Sequence, residues 1–118
     1  MYERMHEKLG KISGGVKTYW GEMVWPTRCI PEILQLAVDN QWIILGGDIL
    51  DMAQNYTYDN WYYNPDAQMP LDSNVLASVK KAEEYISQYQ KRNGDNFLIS
   101  LTLSNNYVAG NMTSTGDS

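Results

Sequence analysis

Three groups of residues could carry chemistry: the run Gly46-Gly47-Asp48, the carboxylates Asp48, Asp51 and Asp59, and the single His6 and Cys29. A glycine-rich loop can cradle phosphate, but two glycines are too few and no Gly-Lys-Ser/Thr follows them. Neighbouring aspartates can hold calcium, yet these lack the alternating ligands and central glycine of an EF-hand loop. Zinc finds one histidine and one cysteine, far apart in sequence. His6 is the one possible switch near neutral pH, and its charged N-terminal setting suits an exposed structural role. A reactive thiol needs positive neighbours. Cys29 has only Arg28, so it reads as buried or inert. Nucleophilic triads and carboxylate pairs assemble only in the fold, and no spacing here supports one. The expectation is a protein that is not an enzyme and holds no metal or cofactor.

A different pattern is more informative. Between Arg28 and Lys80 there is no Lys, Arg or His, while Glu32, Asp39, Asp48, Asp51, Asp59, Asp66 and Asp72 all fall there. The same stretch holds Trp42, Tyr56, Tyr58, Trp61, Tyr62 and Tyr63, nearly half of the chain's aromatics. Tyrosine and tryptophan supply rigid amphipathic contact area, and carboxylates steer a basic partner. The candidate partner-binding residues are therefore Asp48, Asp51, Tyr56, Tyr58, Asp59, Trp61, Tyr62 and Tyr63. The competing reading is a sheet with aromatics in its core and acids in solvent. At period two, Tyr56, Tyr58, Asn60 and Tyr62 share one face, and Thr57, Asp59, Trp61 and Tyr63 share the other. The second set, which carries Asp59, is the one expected to be exposed. Trp42 is expected in the core, and Gly46 and Gly47 are expected to be structural.

The 118 residues suit one domain able to fold without staples. A net charge of −5 argues against nucleic acid, which needs a basic patch. One cysteine permits no internal disulfide, which suits a reducing compartment. The charged start lacks the apolar core of a signal peptide, and no apolar run could span a membrane. A cytoplasmic protein is expected. In that setting the glycosylation patterns Asn55-Tyr-Thr57 and Asn111-Met-Thr113 are idle.

These residues need elements to place them. Residues 1–10 suit a short helix ending at Gly10, with Met5 and Leu9 on one face. Ser13-Gly14-Gly15 is a turn, and Val16 to Trp25 stays unassigned. Ile30, Ile33, Leu34, Ala37 and Val38 predict a helix over Pro31–Asn40, with Asn40 taking the left-handed cap. Residues 42–50 read as one strand bent at Gly46-Gly47. A turn over 52–55 leads to an antiparallel strand over Tyr56–Tyr63, with a bulge at Asp59-Asn60, and then to a loop over 64–71. Val75, Leu76, Val79, Ala82, Ile86 and Tyr89 predict a helix from Asn74 to Arg92, capped by Asp72 or Ser73 and stopped by Asn93-Gly94. Phe97 to Ser104 alternates as a half-buried strand, and residues 105–118 read as a mobile tail. The order implies an α+β fold: a small antiparallel sheet covered by two to three helices.

Gly46-Gly47-Asp48 resembles the signature of cyclic-dinucleotide synthases, but Ile49-Leu50 stands where that signature has Glu-Phe. The run Trp42-Ile-Ile-Leu-Gly-Gly-Asp48, followed by Tyr56-Thr-Tyr-Asp-Asn-Trp-Tyr-Tyr63, resembles the immunity protein 40 family of bacterial polymorphic toxin systems. The matching stretch covers roughly residues 30–63, with weaker similarity through the last helix and strand. The resemblance implies an inhibitor that binds a cognate toxin, with no catalytic residues to carry over. An acidic, aromatic inhibitor would suit a basic toxin such as a nuclease. Two other classes stay open: a small-ligand or carbohydrate-binding module with an aromatic platform, and a regulatory adaptor. Oligomeric state is open too.

Overall fold

Short β-rich segments alternate with two strongly periodic helices, and the computed structural model, which describes residues 2–105, arranges them as an α+β fold. The elements are α1 (Tyr2–Gly10), β1 (Val16–Lys17), β2 (Met23–Pro26), α2 (Ile30–Asn40), β3 (Ile43–Leu50), β4 (Tyr56–Tyr62), α3 (Leu71–Asn93) and β5 (Leu98–Ser104). A 3-10 turn over Thr27–Cys29 leads into α2. The five strands form one antiparallel sheet in the order β1-β2-β5-β3-β4. The expected tail, from residue 106 on, and the Asn111-Met-Thr113 pattern lie outside the described residues.

The helices pack on one face of the sheet. Ile33, Leu34 and Ala37 of α2, Ala82, Ile86 and Tyr89 of α3, Ile44, Ile49, Trp61 and Ile99 from the sheet, and Phe97 just before β5 form the main core, together with Met5 and Ile12. Trp42 and Cys29 are buried in it as expected; Cys29 Sγ donates to the Ser13 carbonyl at 3.3 Å, and burial pushes its thiol up. A smaller cluster of Val24, Leu50 and Leu98, with Val16 against it, lies apart from the helix-packed core.

Gly46-Gly47 bends β3, as expected. The pairing with β5 slips between Ile44 and Gly46, and the Ile44 N–H donates to Ser78 Oγ of α3 at 2.9 Å. That slip lets Ile44 and Ile49 both face the helices. Gly47 is needed for close approach: a Cβ there would lie 2.4 Å from Trp61 Cη2 and 2.8 Å from the Ser100 carbonyl oxygen.

Several local expectations are corrected. Asn40 stays helical, because its amide donates to the Leu36 carbonyl at 2.9 Å. Gln41 takes the left-handed position instead (φ 59°), and bonds from Gln41 N to Val38 O and from Trp42 N to Ala37 O close the helix end. Helix α3 begins at Leu71, not Asn74, and neither Asp72 nor Ser73 caps it with a side-chain bond. The reason is Asn74, which is fully buried. Its Oδ1 accepts from the Tyr63 hydroxyl at 2.6 Å and the Asp66 N–H at 2.8 Å, and its Nδ2 donates to the Asp66 carbonyl at 3.0 Å. One amide thus latches the 64–70 loop to the helix start. Leu76, expected in the buried stripe, is 56% exposed, and Ser78 is buried.

Candidate functional site

The sheet surface away from the helices is organised by a loop that sequence reasoning left unassigned. Residues 18–22 join β1 to β2. Thr18 is buried, its N–H donates to the Glu22 carbonyl at 2.7 Å, and its Oγ1 accepts from the Glu22 N–H at 2.9 Å. Gly21, at φ +95°, supplies the left-handed turn that closes the loop. With its ends pinned, the loop holds Tyr19 and Trp20 out in solvent.

Glu22 then ties this loop to the rest of the sheet. Its Oε1 accepts from the Trp20 indole N–H at 3.0 Å and from the Tyr56 hydroxyl, and its Oε2 accepts from the Ser100 hydroxyl. Burial raises the Glu22 carboxyl, but the donors on Ser100, Tyr56 and Trp20 outweigh it and hold the group below its ordinary value. The Tyr56 phenol moves the other way, to about 12, first because it donates to Glu22 and then through desolvation and the charges of Glu22 and Asp48. Three rings meet here. Tyr19 and Trp20 stand edge to face with centroids 4.8 Å apart, and Trp20 and Tyr56 are 5.8 Å apart at 37°. Asp48 pairs in register with Ser100 on one side and Asn60 on the other, so it stands beside this group.

The β3–β4 hairpin presents the remaining candidates unequally. Asp51 is exposed, but it is also the knot of the connecting turn: its Oδ1 accepts from the Ala53 and Asn55 N–H groups, each at 2.9 Å. The Asn55 backbone bond, against a smaller desolvation effect, holds the Asp51 carboxyl below its ordinary value, helped by the Asn55 side chain and the Ala53 N–H. Pairing is irregular between Asp48–Asn60 and Leu50–Tyr56, where three residues of β4 lie opposite Ile49. Tyr58 sits in that bulge at φ 71° and is 89% exposed.

The face of β4 expected to be exposed is so at Asp59 but not at Trp61, and the opposite face is exposed throughout. Tyr56, Tyr58 and Tyr62 are the exposed set, and Trp61 is buried. The cause is Gly47, whose missing side chain leaves the space that the Trp61 ring fills. Trp61 then stacks on Tyr85 of α3 at 4.9 Å. Asp59 is exposed but accepts a bond from the Tyr89 hydroxyl at 2.8 Å, and Tyr63 donates to Asn74. Trp61 is therefore core, whereas Asp48, Asp51, Tyr56, Tyr58, Asp59, Tyr62 and Tyr63 retain at least partial exposure. Tyr19, Trp20 and Glu22 were missed. The exposed β4 edge is interrupted by its bulge, which discourages pairing with another chain.

A second feature is an open cleft of about 620 Å³, lined largely by apolar side chains such as Met5, Leu9, Trp25, Leu101 and Leu103, with Glu22 and His6 among its polar groups. Among the described residues no three His, Cys, Asp or Glu side chains converge as a metal site would require. No helix among them is long and apolar enough to cross a membrane.

The sequence model of the family described as Immunity protein 40 matches residues 12–103. The chain belongs to the immunity protein 40 family. The match reaches well beyond the 30–63 stretch that carried the resemblance: it spans the whole sheet up to Leu103, both large helices and the Tyr19-Trp20-Glu22 loop, and leaves out α1. No curated protein and no solved structure matches this member of the immunity protein 40 family.

Proposed function

We propose that the protein neutralises a cognate toxin domain by direct protein–protein binding, and that it does so in the cytoplasm without catalysis. The observation that carries this reading is a surface on which exposed tyrosines stand among carboxylates, in a chain that belongs to an immunity family. The contact set is Asp48, Asp51, Tyr56, Tyr58, Asp59, Tyr62 and Tyr63, with Trp61 behind them as their support. Carboxylates speed encounter with a basic target, and desolvated rings slow its escape. A toxin that binds nucleic acid, such as a nuclease, has the basic surface this arrangement suits.

The test is co-expression with the gene that neighbours this one. The neighbour alone should arrest growth, and this protein should restore it and co-purify with the toxin. A lethal neighbour that stays lethal despite well-folded protein overturns the proposal. The cleft beside Glu22 favours one second reading, a small-ligand module. A ligand-induced change in tryptophan fluorescence, with no toxin protection, would select it.

A further inference from the structure

We propose that Trp20 and Tyr56, tied together through Glu22 and flanked by Asp48, form a seat for an arginine side chain of a basic protein partner. This deepens the inhibitory reading and rests on it. An arginine guanidinium is planar, stacks on aromatic faces and pairs with carboxylates. Each of those demands is met by a separate group.

The rings are the first group. Trp20 and Tyr56 are 42% and 41% exposed, so each keeps accessible ring surface while the rest of the side chain is packed. Tyr19, 90% exposed, stands edge-on to Trp20 and walls one side. The rings are also fixed in advance, because both polar ends donate to Glu22. Docking therefore costs this protein little ring freedom.

The carboxylates divide the work. Glu22 already accepts three bonds, two of them on Oε1, so it holds the rings and supplies fixed negative charge. Asp48 has no side-chain hydrogen bond among the described residues, yet its field reaches the Tyr56 phenol. It is the acceptor left for an incoming donor. Lys81 lies over the Tyr62 ring at 5.7 Å, but among the described residues no cation lies over the ring of Trp20 or Tyr56. Tyr62 is thus partly satisfied, and the Trp20–Tyr56 pair is the one that stands open. The seat joins Tyr56 of the aromatic-rich run 56–63 to Trp20 and Glu22 of the loop between β1 and β2.

The experiment follows the indole N–H resonances of the intact protein, with Trp20→Phe used to assign the Trp20 signal. The probes are the capped tripeptide Gly-Arg-Gly, its neutral citrulline counterpart, and cellobiose. The arginine peptide should move the Trp20 signal in a saturable way, and the citrulline peptide should leave it in place. Asp48→Asn should weaken that binding roughly two- to fivefold, the range of an exposed ion pair. An unmoved signal, an equal response to citrulline, or a response to cellobiose alone overturns the seat. Growth protection is scored separately with the unaltered protein. Protection without an arginine response leaves inhibition standing and removes the seat. An arginine response without protection keeps the seat and removes the inhibitory role.

Discussion

Both faces of this sheet are rich in tyrosine and tryptophan, and they use those residues in opposite ways. Under the helices, Trp61, Tyr85, Tyr89 and Phe97 form a continuous file with successive centroids 4.9, 6.2 and 4.8 Å apart. On the open face, Tyr19, Trp20 and Tyr56 form a second file of similar spacing. What separates them is the company they keep. The inner file runs from the sheet onto α3, which contributes Tyr85 and Tyr89, and Trp61 fills the space over Gly47, so most of its area is already removed from water. The outer file is held by one carboxylate and remains available to a partner. Aromatic content alone therefore says little about role. The deciding quantities are the backbone space beneath each ring and the acceptor at its polar end.

The sharpest way to break this contrast is to remove one tryptophan from each file. Trp61→Ala should cost about 3–5 kcal/mol, because it empties a packed site. Trp20→Ala should cost about 1 kcal/mol, the value of one hydrogen bond at a half-exposed position, while abolishing most toxin protection. Urea unfolding of both variants reads the difference. Equal costs would mean that the outer file is structural after all. Next in size is Gly47→Ala, expected to cost about 1–3 kcal/mol through overpacking, since its Cβ would press on both the Trp61 ring and the Ser100 carbonyl. A neutral result by thermal or urea unfolding would show that Trp61 is not confined by that glycine.

The inner file was the more legible in sequence. Helical spacing in 30–38 and 75–89 located the two large helices, alternation located β5, and paired glycines after a β-branched run located the bend in β3. Those signals are local, with partners a few residues apart. The outer site is built across distance: Tyr56 reaches Glu22 over 34 residues, and Ser100 reaches it over 78. No periodicity records such contacts, which is why Tyr19, Trp20 and Glu22 were not among the candidate site residues. The burial of Trp61 on the face of β4 expected to be exposed has the same origin. Its two faces were separated correctly, but choosing between them required knowing that Gly47 lies opposite Trp61. Asn74 shows a related blind spot, since a polar residue in a helix reads as surface until the loop it latches is seen.

The smallest expected effect concerns pH, and it again separates the faces. Glu22 has its folded-state value below the ordinary 4.5. Its contribution to stability is therefore present above about pH 4.5 and is lost as pH falls through the lowered folded value. Tyr56 is raised from 10.0 to about 12, so its contribution is intact below pH 10 and fades between pH 10 and about 12. On the helix side, burial first of all raises Tyr85 and Tyr89, which weigh only in alkali. Acid should thus loosen the open face, where Glu22 and Asp51 are the lowered carboxyls, before it touches the inner file. Glu22→Gln can still accept from Tyr56 and Trp20 but has no charge to lose. Its stability deficit relative to the unaltered protein, measured by urea unfolding, should be largest at pH 7 and shrink at pH 3.5. Tyr56→Phe removes one of the donors that lower Glu22, so its deficit should shrink in acid by a smaller amount, and it should also shrink as pH rises past 10. If Glu22→Gln keeps the same deficit at both acid and neutral pH, the three bonds to Glu22 do not favour its charge, and the outer file is held by packing alone.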